Sequence, residues 1–165
     1  MSPAADVAAA ARDSDDKYAG PRATLWTLRG VTAVHTAIVI GQPVLAGLYL
    51  SGDVDALSIH ASDGDLLLLV SFVQVVVALT YFLAGRGRSW PASSSVALFL
   101  AEGLQIGMGY SRQLAIHIPL GVGIVVAQML FTVWVFGRSA RRARHRRSKP
   151  LPPATSAATS PAASS

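Results

Sequence analysis

The chain contains no cysteine. Disulfides, thiolate-bound metals and cysteine-held clusters are thereby excluded. Charge is also scarce. Asp, Glu, Lys and Arg make up 14% of the 165 residues, against about 25% in an average soluble domain. The shortage is concentrated between residues 31 and 137. With 52% hydrophobic residues overall, this points to one compact membrane domain. Residues 1–20 lack a basic stretch followed by an apolar run, so no secretory signal peptide is expected there. The net charge of +5 is no sign of nucleic-acid binding, because 7 of the 14 basic residues crowd between Arg138 and Lys149. Such a tail is expected to stop translocation and to contact anionic lipid.

Four apolar runs are present, at about 30–50, 66–83, 92–110 and 114–136. The first, 21 residues long, would rise about 31 Å as a helix, enough for a hydrocarbon core of roughly 30 Å. The expected fold is therefore all-α: an integral membrane four-helix bundle of two tandem transmembrane hairpins, covering residues 25–137. Residues 1–24 are expected to be disordered or interfacial. Residues 138–165 read as a basic, then Pro/Ala/Ser-rich, disordered tail. The stretch 51–64 reads as an acidic loop with Asp53, Asp55 and Asp63. Its spacing does not match an EF-hand, which leaves a solvated loop. Thirteen of the 14 basic residues fall on one side of this topology and Arg112 alone on the other. The positive-inside rule then places both termini in the cytoplasm of a multi-pass cell-membrane protein. Trp26, Trp90 and Trp134 fall near the cytoplasmic interface, Tyr49 and Tyr110 near the outer one.

Two phrases match each other: Leu57-Ser58-Ile59-His60-Ala61-Ser62-Asp63-Gly64 and Leu114-Ala115-Ile116-His117-Ile118-Pro119-Leu120-Gly121. The shared pattern is Leu-x-Ile-His-x-x-x-Gly, in a chain with four His. On a helix, i and i+4 share a face, so Gly64 and Gly121 would leave a flat spot one turn from each His. Both runs descend from the outer side, so the two His should lie at one depth and can face each other across the bundle. Paired axial imidazoles suit a low-spin haem. The competing reading is two interfacial His facing water above ordinary transmembrane glycines. Asp55 and Asp63 either orient one His through its second ring nitrogen or are plain surface charges.

The run Glu102-Gly103-Leu104-Gln105-Ile106-Gly107-Met108-Gly109-Tyr110, followed by Leu114-Ala115-Ile116-His117, resembles the third-to-fourth helix passage of the haem A synthase family. His60 in Ser58-Ile59-His60 is similar to that family's second-helix His. The resemblance covers roughly residues 30–137, one four-helix half of those two-half enzymes. It implies a haem b held by His60 and His117. This chain departs from the family in three ways. It has a single half, it lacks the cysteine pair found in many members, and it has Leu57 where a catalytic acid would precede the His, the nearest upstream carboxylate being Asp55. These departures point away from haem A synthesis by one copy of this chain. A homodimer could rebuild eight helices.

The functional expectation is haem binding near the outer face, serving electron transfer, haem handling or redox sensing with a redox partner protein. The alternative is a cofactor-free membrane assembly or interaction subunit. Whether the chain is an enzyme stays open. His35 is expected about 20 Å from the outer pair, as a structural His bonded to a neighbouring helix. Glu102, the acidic residue deep in a span, is expected to relay protons or to pair with a polar residue such as Gln42 or Gln74. Gln42, Gln74, Gln105 and Gln128, one per span, are expected to hydrogen-bond between helices.

Overall fold

The structure is a computed structural model and describes Asp6 and residues 22–141. Helix α1 spans Arg22–Leu50, α2 Asp55–Leu83, α3 Trp90–Tyr110 and α4 Leu114–Phe136, followed by a 3₁₀ turn at Arg138–Arg141. Among the described residues no strand occurs. Each helix packs on the next and α4 returns to α1. This places α1 opposite α3 and α2 opposite α4.

Helices α1, α2 and α4 are long and apolar enough to cross a membrane. Helix α3 is not among them, so three of the four expected spans meet this measure. Its 21 residues would rise about 31 Å, but Ser93, Ser94, Ser95, Glu102 and Gln105 dilute its apolar character. The outward surface is nonetheless rich in apolar side chains, among them Val34, Leu69, Phe72, Leu100, Val126 and Leu130.

The acidic stretch is a correction. The loop is confined to Ser51–Val54, and residues 55–64 are helical. Asp53 Oδ1 accepts the backbone N–H groups of Asp55 and Ala56 at 3.2 and 3.3 Å, satisfying donors that the first turn of a helix leaves free. Gly52, at φ 105°, takes the left-handed turn that lets α2 start early. Helix α1 likewise begins at Arg22, ahead of the apolar run, because Leu25 and Leu28 bury themselves in the core. Residues 138–141 form a docked turn, and Tyr81 donates its hydroxyl to the Ala140 carbonyl at 2.9 Å. The expectations for residues 1–21 other than Asp6, and for the basic and Pro-rich tail beyond residue 141, lie outside the described residues.

Two apolar clusters form the core. One holds Leu25, Leu28, Ala78, Tyr81, Ala92, Phe131 and Val135, with Ala140 of the turn. The other holds Val39, Leu67, Leu98 and Ile124. Between them, in chain order on every helix, lie buried polar side chains: Thr32 and His35, Ser71 and Gln74, Ser95, and Gln128. Glu102 starts one turn beyond Leu98 on α3 and reaches back into this layer.

At the end that carries the 3₁₀ turn, Arg29 is buried. It donates from Nε to the Val135 carbonyl at 3.1 Å and from Nη2 to the Phe136 carbonyl at 3.4 Å. Its guanidinium also lies 4.8 Å from the Trp26 ring centroid. A cation thus covers the last carbonyls of α4, where the helix dipole favours positive charge.

Candidate functional site

His60 and His117 meet. They sit on the opposite helices α2 and α4, yet their ring centroids are 6.2 Å apart, with the planes inclined at 70°. Both rings are half-buried. The expectation that they share one depth and face each other across the bundle matches this placement.

The tautomer of each ring follows from its partner. His60 Nδ1 lies 3.2 Å from the Gln42 carbonyl, and His117 Nδ1 lies 2.9 Å from the Gln105 carbonyl. A backbone carbonyl only accepts, so both Nδ1 atoms carry hydrogen and donate. In the neutral rings, Nε2 is then left as a lone-pair donor atom. A metal-ligating imidazole needs this arrangement, because the outer hydrogen bond fixes tautomer and orientation and raises basicity. The two holding carbonyls come from α1 and α3, so all four helices contribute to the site.

Asp63 and Asp55 do not orient a His in this structure. Asp63 Oδ2 instead accepts from Gln42 Nε2 at 2.9 Å, and the same nitrogen lies 3.4 Å from the His60 carbonyl. Gln42 therefore ties α1 to α2 through its side chain while its backbone holds the His60 ring. The sequence predicts the interhelical side-chain bond but not the backbone hold on His60. The Gln-Pro step at 42–43 is a signal for irregular backbone, but nothing in it points to a particular ring.

The two glycines of the repeat face α3. A Cβ on Gly64 would lie 4.0 Å from Ile106 Cγ1, and one on Gly121 would lie 2.7 Å from Gln105 Nε2. A flat ligand against Gly121 requires the Gln105 side chain to turn aside. Gly109, part of the Glu102–Tyr110 run, borders the site more closely: a Cβ there would meet His117 Cε1 at 3.0 Å and Nδ1 at 3.2 Å. Gly47 and Gly107, on the flanking helices α1 and α3, have open space where a Cβ would stand.

The 6.2 Å ring spacing is compatible with two imidazoles on one haem iron. An imidazole nitrogen sits about 2 Å from a first-row metal, and a ring centroid lies roughly 1.1 Å behind that nitrogen. Two axial rings are therefore about 6.2 Å apart across one iron. Among the described residues no group of three or more His, Asp or Glu could hold a metal ion. Two ligands suit a metal whose other positions a macrocycle fills, and they fall short of a protein-only site.

A second polar centre lies deeper. His35 Nδ1 is 2.9 Å from Gln74 Oε1, and His35 Nε2 is 3.0 Å from Glu102 Oε1. Both side chains are fully buried. The Nε2–H does not point along the contact, and Glu102 Oε2 has no donor. Gln74 and Gln128 exchange amide hydrogen bonds at 3.3 and 3.1 Å, and Gln128 Nε2 also reaches Thr36 Oγ1 at 3.2 Å. The expectation that His35 bonds to a neighbouring helix holds, with Gln74 as the partner. Glu102 pairs with His35 rather than with Gln42 or Gln74. The 20 Å separation shrinks by half: Gln42, which holds His60, is seven residues from His35, about 10 Å of rise. His35 thus lies about two helical turns from the His60–His117 pair.

Comparison with family models, curated proteins and solved structures finds no match to this chain.

Proposed function

We propose that this chain is a multi-pass cell-membrane protein, with both termini cytoplasmic, that holds a b-type haem between His60 and His117 near its outer face. The observation that carries this reading is the facing of the two rings at 6.2 Å with both Nδ1 atoms already committed to carbonyls. The charge asymmetry of the sequence supports the orientation. The bound iron would supply one-electron redox chemistry at a low-spin centre. The protein's own part is to orient both imidazoles through the Gln42 and Gln105 carbonyls and to surround them with apolar helices. Electron transfer, haem handling and redox sensing all use such a centre. The resemblance to one half of the haem A synthase family favours the same ligands.

The test is substitution with spectroscopy. His60→Ala and His117→Ala should each abolish the low-spin absorption bands of the haem-supplied protein, while His35→Gln should retain them. Loss of the bands only in His35→Gln would overturn the ligand assignment.

The second reading, a cofactor-free assembly or interaction subunit, is favoured by the Gln105 amide seated against Gly121. It predicts a stoichiometric partner whose association survives both His substitutions.

A further inference from the structure

Arginines gather at the end of the bundle that carries the 3₁₀ turn. Arg29 comes from α1, Arg86 and Arg88 from the link between α2 and α3, and Arg138 and Arg141 from the turn itself. Tyr81, near the end of α2, draws the link and the turn together. Its hydroxyl donates to the Ala140 carbonyl at 2.9 Å. The backbone N–H of Arg88 approaches the same hydroxyl, and Gly87 lies against the ring. The fold therefore collects charge of one sign that the sequence scatters along the chain.

This charge has no partner in the bundle. Among the described residues none of these arginines has a carboxylate within ion-pair distance; the pair that occurs joins His35 and Glu102. Asp53, Asp55, Asp63 and Asp65 belong to the opposite end, around the start of α2. Arg141 is close enough to Arg29 for the two charges to repel. Arg29 itself is only partly used. Its Nε and Nη2 bond the end of α4. Its Nη1 bonds no described group and is not among the enclosed polar atoms that lack a partner, so it keeps an opening to the surface. A guanidinium with free N–H groups beside a second guanidinium suits a phosphate.

The surroundings select the kind of phosphate. The exposed Trp26 ring and the Phe136 ring have their centroids 4.8 and 5.5 Å from the Arg29 guanidinium carbon. Leu83 and Val133, in the last turns of α2 and α4, are 70% and 71% exposed. Arginine next to bare apolar side chains matches an amphiphile. Its phosphate meets the guanidinium groups while its acyl chains cover the apolar rim. Trp26 is the type of side chain that sits at headgroup level. A free phosphate, a nucleic acid or an acidic peptide would use the charge and leave the rim uncovered.

We propose that Arg29 and Arg141, with Trp26 beside the former, hold the phosphate of an anionic phospholipid in the leaflet on the side of the 3₁₀ turn. The inference rests on the membrane reading of the chain and not on the haem reading. The site is separate from the basic tail, because all its arginines precede residue 142. Arg88 and Arg138 add charge at its margin. A lipid bound there relieves the repulsion between Arg29 and Arg141 and stabilises the folded chain that brings them together.

The experiment is a lipid titration of the full chain in neutral detergent micelles, read by thermal unfolding and tryptophan fluorescence. Phosphatidylglycerol is added in one arm, phosphatidylcholine in a second, and glycerol phosphate or inorganic phosphate in a third. Phosphatidylglycerol should raise the unfolding temperature saturably, and added salt should weaken the effect. The other additions should leave it unchanged at the same concentration. Arg141→Gln should weaken binding about fivefold, the share of one arginine near an anionic surface. Changing Arg142, Arg144, Arg146 and Arg147 together to Gln should weaken it less than Arg141→Gln alone. Equal stabilisation by phosphatidylcholine or by either free phosphate overturns the proposal. So does an effect that survives Arg141→Gln and disappears with the four tail substitutions, which assigns the lipid to the tail. A native chain without a response that gains one when Asp13, Asp15 and Asp16 are changed to Asn also overturns it, and gives the arginines to the chain's own acidic segment. The membrane reading is tested apart from this. A chain released from membranes by alkaline carbonate overturns that reading, whereas one that stays in the membrane and ignores phosphatidylglycerol overturns the proposal alone.

Discussion

Replacing Gly109 with alanine separates the packing of α3 from the setting of His117. The added methyl would stand 3.0 Å from His117 Cε1 and 3.2 Å from Nδ1, closer than ordinary carbon contact. The ring must yield by a few tenths of an ångström, which lengthens the Nδ1 bond to the Gln105 carbonyl from 2.9 Å. Loss of such an outer hydrogen bond costs a metal site about 10–100-fold in affinity, or about 1.4–2.7 kcal/mol. Alanine is meanwhile the better helix former, by up to about 1 kcal/mol. Haem affinity should therefore fall while resistance to unfolding is unchanged or rises. Gly103→Ala is the control, because its Cβ would make an ordinary 4.0 Å contact with Leu68. It carries the same propensity gain and should bind haem as the native protein does. Haemin titration followed by absorbance, with thermal unfolding in the same detergent, reads both quantities. A Gly109→Ala protein that binds haem within twofold of native would refute the reasoning.

Other substitutions probe the frame. Arg29→Ala should destabilise the fold by about 2 kcal/mol, from two charge-assisted hydrogen bonds and the Trp26 contact net of the desolvation relieved; Arg29→Lys should recover only part, because one ammonium lacks the fork that reaches both carbonyls. Denaturant titration in mixed micelles checks this, and full recovery by Lys would contradict the geometry. Gly87→Ala should be worse than any other glycine substitution in the bundle, since its methyl would fall on the Tyr81 ring and displace the hydroxyl from Ala140; a native-like unfolding midpoint would sink that claim. His35→Leu should cost about 3–5 kcal/mol by leaving Glu102 buried and unpaired, and the double change His35→Leu with Glu102→Leu should be less damaging than His35→Leu alone. A strictly additive cycle would show that the two do not act as a pair.

Much of this was legible in the residues. Lengths and apolar runs gave four helices, because a helix that crosses lipid must satisfy its backbone internally and announces itself by composition. The His repeat placed two rings at one level, because α2 and α4 run the same way. The early start of α2 was hidden by Asp53, Asp55 and Asp63, which read as a solvated loop until Asp53 is seen capping the helix. The apolar run of α3 is diluted by Ser93, Ser94, Ser95, Glu102 and Gln105, of which Ser95 and Glu102 are buried in the bundle. The side-chain bond of Gln42 from α1 to α2 follows from the expectation for the span glutamines, but its hold on the His60 ring could not be read. Its contact with His60 uses a backbone carbonyl, which every residue has, and only the packing of α1 on α2 selects it. The same holds for Gly109, whose value lies in what its absent side chain would strike.

The central claim is that His60 and His117 hold one haem. The most direct test is the absorption spectrum of the purified full chain, expressed with ample haem, oxidised and then reduced with dithionite, beside His60→Ala and His117→Ala. A sharp reduced alpha band of low-spin b-type haem in the native protein, missing from both variants, is the predicted result. A folded native protein without that band, or either variant retaining it at full strength, would contradict the account.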